Sequence, residues 1–381
     1  MTNSPVPCAS PSNHVADSIS VAMATYNGAK FLRQQLDSIA AQSRLPAELV
    51  VTDDASTDDT VAILNDFAAT APFPVHIHRN PSRLGYRANF MRAMGLCRSD
   101  IVALCDQDDL WEANKTEAAM QAFADPDVVL FFHNAWLIDG AGAMIGPADI
   151  FTLPPRSAPL SFYPMINPFG FSIVFRRALM RFAEQWPASI DSVEATNRMA
   201  HDQWIFFLAS VFGVIAYSDA RLVRYRQHGG NAYGWKPWTA GVWDRLSAKL
   251  HDNGGAHLQF AAAAAARGRI LRAILQTAPA GSLSPVERER AERCATFYEG
   301  LSPRLALRGE VYTAPRVHRR ILACLRLLRM GGYGRGTSWN IGPKAIVKDV
   351  VLGLAFRPLL VRYTDRQALA AEHLRRDPKV T

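Results

Sequence analysis

Residues 101–109 read Ile-Val-Ala-Leu-Cys-Asp-Gln-Asp-Asp. A short apolar run that ends abruptly in three carboxylates constrains fold and chemistry at once. After the turn-like Arg98-Ser99-Asp100, a run of this length fits a buried parallel strand. Asp106, Asp108 and Asp109 then stand at or just past its carboxyl end, where open α/β sheets place their ligands. Three neighbouring negative charges repel one another and are tolerated in solvent or around a divalent cation. Hard oxygen ligands suit Mg²⁺ or Mn²⁺, ions that usually also hold substrate phosphates. A polar loop that caps the next helix through Asp109 or Asn114 accounts for the same residues without any ligand.

The flanking pattern favours the strand-end reading. Ile19–Ala24, Leu49–Thr52, Val75–His78, Ile101–Cys105 and Val128–Phe132 are strand candidates. Helical stretches alternate with them. One runs from Ala29 to Gln42, with Phe31, Leu32, Leu36 and Ile39 on one face. A second ends at Phe67 and is capped by Ser56 and Thr57, with Asp58 and Asp59 in its first turn. Gly85 opens a third toward Met94, and a fourth covers Asn114–Phe123. Strand-helix alternation with short links predicts a doubly wound α/β sheet, mostly parallel and flanked by helices. Right-handed crossovers put the strand ends on one edge. Residues 139–170, rich in Gly and Pro, read as loop or active-site cover. Ile173–Phe182 reads as strand running into helix, Gln203–Phe212 as an apolar helix, and Val214–Tyr217 and Arg221–Tyr225 as two short strands. From about 240 the chain turns helical, over 240–275, 284–300, 315–330 and 343–356. The expected organisation is a disordered N-terminus over 1–17, an α/β domain over 18–239 and a helical, basic extension over 240–381.

Three strands end in groups suited to a sugar nucleotide: Thr25-Tyr26-Asn27-Gly28, then Thr52-Asp53-Asp54-Ala55-Ser56, then the acidic cluster. Asp53 or Asp54 can accept a pyrimidine imide N–H, and Tyr26 can cover a ring face. The competing readings are a plain strand-to-helix turn for Thr25–Gly28 and Asx-type bonding with helix capping for the two acids.

Taken in order, these motifs resemble the family 2 glycosyltransferases of the GT-A fold. The resemblance rests on Ala24–Gly28, Val51–Asp58 and Cys105–Trp111, with Asn80, Leu84-Gly85-Tyr86 and Asn89-Phe90 between them. It continues in His201-Asp202-Gln203-Trp204 and in Arg224-Tyr225-Arg226-Gln227-His228-Gly229-Gly230-Asn231, which is similar to a segment of the bacterial rhamnosyltransferase-like branch. The resemblance implies roles. Asp54, with Thr25, Tyr26 and Arg83, would bind the donor. Asp106 would lie near ribose and metal, and Asp108 and His228 would complete an Mg²⁺ or Mn²⁺ site. Asp202 would be the general base. His201 stands where relatives often carry Glu, and it falls with Trp235 and Asp109 among acceptor or lid residues. Without the resemblance, Asp202 reads as the N-cap of an apolar helix and His228 as a loop histidine bonding backbone.

The implied activity is inverting, metal-dependent transfer of a sugar, with rhamnose as the leading donor sugar, from a UDP- or dTDP-linked donor. The acceptor would be a glycan or lipid-linked glycan in O-antigen-like surface-polysaccharide synthesis. The alternative is a non-catalytic sugar-nucleotide or glycan-binding protein on a degenerate GT-A fold.

Charge bears on the partners. The net charge is +8, yet residues 312–381 alone carry +10, from 14 Lys or Arg against 4 Asp or Glu. The main domain is therefore slightly acidic and is not expected to bind nucleic acid. In the tail, Val317, Ile321, Leu322, Leu325, Leu327 and Leu328 interleave with Arg316, Arg319, Arg320, Arg326 and Arg329. Basic amphipathic helices of this kind lie on anionic membrane surfaces. The competing reading is a helical cap packed on the catalytic domain. Five scattered cysteines without a Cys-x-x-Cys pair indicate neither zinc nor a disulfide framework. No apolar stretch has spanning length, and residues 1–17 read as neither signal peptide nor presequence. The expected place is the cytoplasm, peripheral at the inner face of the membrane.

Overall fold

The structure, a computed structural model, describes residues 18–149, 153–162, 164–229, 255–333 and 343–356. The chain divides into two compact units. The first takes Met1–Ser157, Pro168–Ala183 and Gly213–Tyr233; the second takes Ala158–Asn167, Glu184–Phe212 and Gly234–Thr381.

The first unit is an α/β layer. Its strands are β1 (Ile19–Thr25), β2 (Glu48–Asp53), β3 (Val75–Arg79), β4 (Ile101–Cys105), β5 (Leu110–Trp111), β6 (Val128–Ile138), β7 (Met144–Ala148), β8 (Arg156–Ser157), β9 (Val174–Arg176) and β10 (Val214–Arg226). They form one sheet in the order β3-β2-β1-β4-β9-β6-β10-β5, with β7 on β6 and β8 on β10. The run β3-β2-β1-β4 is parallel, and so is the β6–β10 pair. β9 joins the two runs by pairing antiparallel with both β4 and β6. Strands β2 and β4 are buried at every position, because helices cover both faces and no polar alternation is required.

Helices α1 (Ala29–Ala40), α2 (Thr60–Ala68), α3 (Tyr86–Leu96) and α4 (Lys115–Ala122) alternate with the first strands. The expected sheet flanked by helices, with a helical C-terminal region, is therefore present. Phe31, Leu32, Leu36 and Ile39 do form the buried face of α1. Gln35 joins them and donates to Cys105 Sγ at 3.0 Å.

Three local expectations are corrected. Ser56 and Thr57 do not cap α2, which begins at Thr60. Ser56 Oγ instead donates to Asp53 and accepts from the Asn27 N–H, while the Thr57 N–H donates to Asn27 Oδ1. The strands expected at 214–217 and 221–225 are one strand, β10. Its polar Ser218-Asp219-Ala220 is absorbed as a register shift against β6. The expected loop 139–170 contributes β7 and β8.

The second unit is helical: α5 (His201–Phe212), α6 (Gly255–Thr277), α7 (Pro285–Thr313), α8 (Val317–Arg329) and α9 (Pro343–Lys348), which runs into a π-helical segment, Asp349–Phe356. Ser284 and Glu287 form a reciprocal capping box at the start of α7, with Pro285 in its first turn. The helix continues past Pro303, beyond the expected end at 300. The missing hydrogen bond is outweighed by packing on α6, whose Ala261, Ala263, Ala264 and Ala266 make a buried, close-fitting seam. Arg267 is buried over the rings of Phe207 and Tyr298 and donates to Pro164 O. Phe207 and Tyr298 meet edge-on at 5.9 Å. Such contacts draw 158–167 and 184–212 into the helical unit, so the division is not a single cut at 239/240. The N-terminal 1–17, residues 240–254 and Trp235 lie outside the described residues.

Candidate active site

The site in the first unit assembles at the carboxyl ends of β1, β2 and β4. Asp53 closes β2 and is fully buried. Its carboxylate accepts from Thr25 Oγ1 at 3.0 Å and from the Ser56 N–H at 2.9 Å. Thr25 is thus a buttress beneath the turn. Asn27 takes a positive φ of 46° and Ala55 one of 62°. The two turns interlock, since the Gly28 N–H donates to Thr60 Oγ1 at 2.8 Å and the Ala29 N–H to Asp58 Oδ2 at 3.1 Å. The first N–H groups of α1 are satisfied from the neighbouring loop, which a helix start requires. Partial burial raises the Asp58 carboxyl, but the Thr60 hydroxyl and the Ala29 and Thr60 N–H groups outweigh it and hold it below the usual carboxylate range.

Asp54 is 2% exposed. It accepts from Asn80 Nδ2 at 2.9 Å, the Leu84 N–H at 2.6 Å and the Gly85 N–H at 2.8 Å. Gly85 sits at φ +83°, ψ 154°, a region open essentially to glycine alone. Asp54 therefore fastens the 80–85 loop onto the sheet edge. That loop carries Arg83, whose guanidinium lies 4.0 Å from the Tyr26 ring centroid. Tyr26 and Arg83, far apart in sequence, thus form one stacked wall.

The acidic loop follows β4. Asp106 and Asp108 are partly exposed, whereas Asp109 is buried. Asp108 Oδ2 lies 2.8 Å from His228 Nε2, and each side chain is 19% exposed. The His228 ring packs 4.8 Å from Phe31. Asp109 Oδ1 accepts the Arg226 N–H at 2.9 Å, and no side-chain cap is made at Asn114, the residue before α4. Burial first, then Asp108 and Asp106, push the Asp109 carboxyl far above its usual range.

Residues 20–181 match the model of the Glycosyl transferase family 2. These residues are a glycosyltransferase family 2 domain. The chain is 29% identical over 218 residues to an uncharacterized glycosyltransferase of Nostoc sp., covering 56% of this chain and 66% of that protein. It is 26% identical over 222 residues to a dTDP-rhamnosyl transferase, RfbG, of Shigella flexneri, covering 56% and 73%. An uncharacterized protein of Mycobacterium tuberculosis is matched at 28% identity over 55% of this chain and 59% of its own length. The chain thus spans less than two thirds of the Nostoc and M. tuberculosis relatives. Among solved structures, TarS 1-349 of S. aureus in complex with UDP superposes with a TM-score of 0.48 at 14% identity, covering 90% of this chain and 91% of that one.

Within the first unit, two side chains that sequence reasoning passed over hold the acidic loop. Gln107 Oε1 accepts the Tyr26 N–H at 2.9 Å, and its Nε2 donates to Tyr26 O at 3.1 Å. A Cβ on Gly28 would stand 2.2 Å from that same Oε1. The glycine is required by this close approach, since its φ of −100° suits any residue. Arg226, 1% exposed, donates from Nε to Asp108 O and from Nη2 to Gln34 Oε1, both at 2.8 Å. Its guanidinium also lies 4.7 Å from the Phe31 ring centroid. The signal available in sequence was the Arg226-Gln227-His228 run within the resembling segment.

Lys115, in the first turn of α4, is fully buried. It donates to Phe171 O at 2.5 Å and sits 4.0 Å from the Trp111 ring centroid. Burial lowers its pKa to about 7, against the pull of Cys105, Asp109 and Asp106. Reaching a phosphate is therefore not its task.

Asp202 and His201 belong to the second unit. Asp202 occupies the first turn of α5 and accepts the Gln203 N–H at 2.7 Å; His201 is buried. Among the described residues no group of three or more His, Cys, Asp or Glu gathers at one point as a metal site. Asp108 and His228 do share one point, and they could supply two ligands. Such a pair fits Mg²⁺ or Mn²⁺, because these ions are commonly held by one or two protein ligands, with substrate phosphates and water completing the shell.

Proposed function

We propose that the chain is an inverting glycosyltransferase. In this reading it moves a sugar, rhamnose first among the candidates, from a UDP- or dTDP-linked donor to a glycan or lipid-linked acceptor in surface-polysaccharide synthesis. The observation that carries the reading is the Asp108–His228 contact at the end of β4, in the same compact unit as the Tyr26–Arg83 stack and the family 2 match. The dTDP-rhamnosyl transferase relative supports a dTDP-linked donor, and an abequosyltransferase of Salmonella typhimurium, 30% identical over 115 residues, supports sugar transfer.

In this reading the roles divide among the named residues. Tyr26 and Arg83 offer a flat, cationic wall on which a pyrimidine stacks. Asp54 shapes that wall by fixing the 80–85 loop, and accepting from a base would compete with the three donors it already serves. Asp106 faces the ribose. Asp108 and His228 would hold Mg²⁺ or Mn²⁺, which when bound would offset charge developing on the leaving diphosphate. Asp202 removes the acceptor proton as the hydroxyl attacks. Its place in the first turn of α5 favours the ionised carboxylate needed for that. His201 and Trp235 contribute to the acceptor side. The enzyme works at the inner face of the membrane, where a lipid-linked acceptor is presented.

The test is a thermal-shift panel of nucleoside diphosphates and nucleotide sugars with and without Mn²⁺, paired with product assays of Asp202→Asn. A pyrimidine diphosphate that stabilises only with metal, together with a variant that binds donor but does not transfer, supports the reading. Normal turnover by Asp202→Asn removes the base assignment. Binding without turnover in the wild type supports the non-catalytic alternative.

A further inference from the structure

Helix α8 and the segment after α9 carry apolar residues on two faces, one buried in the helical unit and one in solvent. On α8 the inward positions are Arg320, Ala323, Cys324 and Leu327. The outward positions are Val317, Ile321, Leu322, Leu325 and Leu328, each between 44 and 53% exposed. At the helical repeat, Val317, Ile321, Leu325 and Leu328 fall within an arc of about 80°. They form a stripe and not a scatter of single exposed residues. Beyond α9 the pattern recurs, with Val347, Val350 and Val351 outward while Asp349 is fully buried and Leu354 packs on the core cluster.

The inward charges are fully engaged. Asp349 accepts from Arg308 at 3.1 Å, Tyr312 Oη at 2.6 Å and Tyr333 Oη at 2.8 Å. Arg320 donates to Ala314 O at 2.6 Å and to Gly353 O at 3.3 Å. These bonds tie α8 and the π-helical segment to α7 through polar anchors, and they fix which faces look outward. A helix that merely caps a domain needs only its buried apolar face, and the second, exposed stripe is left over.

The charge on this surface selects its partner. Between residues 317 and 356 the only acidic side chain is Asp349, which is buried and paired. The exposed cations Arg316, Arg319, Arg326 and Arg329 flank the apolar stripe. An apolar strip bordered by cations, with no exposed acid, complements a bilayer surface that offers acyl chains below anionic headgroups. We propose that the outward face of α8, together with Val347, Val350 and Val351, is a docking surface for an anionic lipid bilayer. The proposal deepens the membrane half of the proposed function, but its readout involves neither donor nor transfer.

The experiment is flotation of the full-length protein with phosphatidylcholine vesicles, with and without phosphatidylglycerol, at low and high salt. The variants are Ile321→Ser/Leu325→Ser, which removes the stripe, and Arg319→Gln/Arg326→Gln, which removes two cations. Both alter exposed positions, and a melting curve matching the wild type verifies the fold. The wild type is expected to float only with anionic vesicles, less so in high salt. Each double variant is expected to partition about tenfold more weakly. No flotation of the wild type, or variants that float equally well, overturns the proposal. So does a concentration-dependent dimer that the stripe variant abolishes while vesicle binding stays absent; that result would assign the face to a second copy of the chain. Nucleotide stabilisation measured in parallel separates failure of this surface from failure of the transferase reading.

Discussion

Replacing Gly28 by alanine tests how the donor turn is locked to the acidic loop. The added Cβ would stand 2.2 Å from Gln107 Oε1 and 2.4 Å from its Cδ. Gln107 is the flexible partner and can swing away, so the cost is not a backbone clash. It is the loss of the two hydrogen bonds that Gln107 makes to Tyr26, at 2.9 and 3.1 Å. At about 1 kcal/mol each, their loss costs about 2 kcal/mol. Alanine gains about 0.5–1 kcal/mol by stiffening the unfolded chain, and the preference of the N-cap position for glycine over alanine roughly cancels that gain. Gly28→Ala should therefore cost about 2 kcal/mol in the wild type and close to nothing in Gln107→Ala. The assay is a double-mutant cycle by urea denaturation, which reads coupling between touching residues directly. Equal cost in both backgrounds would refute the reasoning, because alanine would then fit without displacing Gln107. Nucleotide affinity should fall in the same pattern, since Tyr26 loses its tie to the acidic loop.

Other outcomes are expected. Arg226→Met should destabilise the protein by about 3 kcal/mol in urea, because Asp108 O and Gln34 Oε1 lose a charged donor; it should also weaken metal-dependent nucleotide binding. Asp108→Ala should abolish the metal-dependent part of nucleotide stabilisation in a thermal shift and leave any metal-independent part. The folded state lowers the Lys115 pKa from 10.5 to about 7, so the unfolded state holds the extra proton between those values. Stability should then rise with pH across that window, by at most about 1.4 kcal/mol per pH unit. Below it the charged, buried amine is a standing cost. Lys115→Met should lack this rise, so its stability relative to wild type should fall steadily from pH 7 to pH 10 in denaturant titrations. Asn80→Ala should loosen the 80–85 loop by removing one of the three donors to Asp54, seen as faster amide exchange at Leu84 and Gly85.

Much of the first unit was legible because it is written in local periods. Apolar runs of strand length, the α1 stripe and the glycine before α3 all reflect chemistry within a few residues of one another. The carboxylates after β4 declared a strand end for the same reason. The donor turn was only half legible. Thr25, Tyr26 and Asp54 stood out by type, yet Ser56 and Thr57 were read as caps when their partners lie across a turn, in Asn27 and Asp53.

By itself the sequence determined the alternating strands and helices, the edge on which the polar groups gather and the helical character of the tail. Each of these follows from backbone propensity and hydrophobic period, which act over a turn or a strand. Only tertiary structure decided that β9 enters antiparallel between β4 and β6. It alone placed Gln107 on Tyr26, 81 residues away, and Arg226 on Gln34, 192 residues away. It also buried Lys115 and left one apolar stripe of α8 facing outward. These depend on which neighbour first satisfies a buried charge or a main-chain group. That choice is settled when distant segments pack together, and no local pattern encodes it.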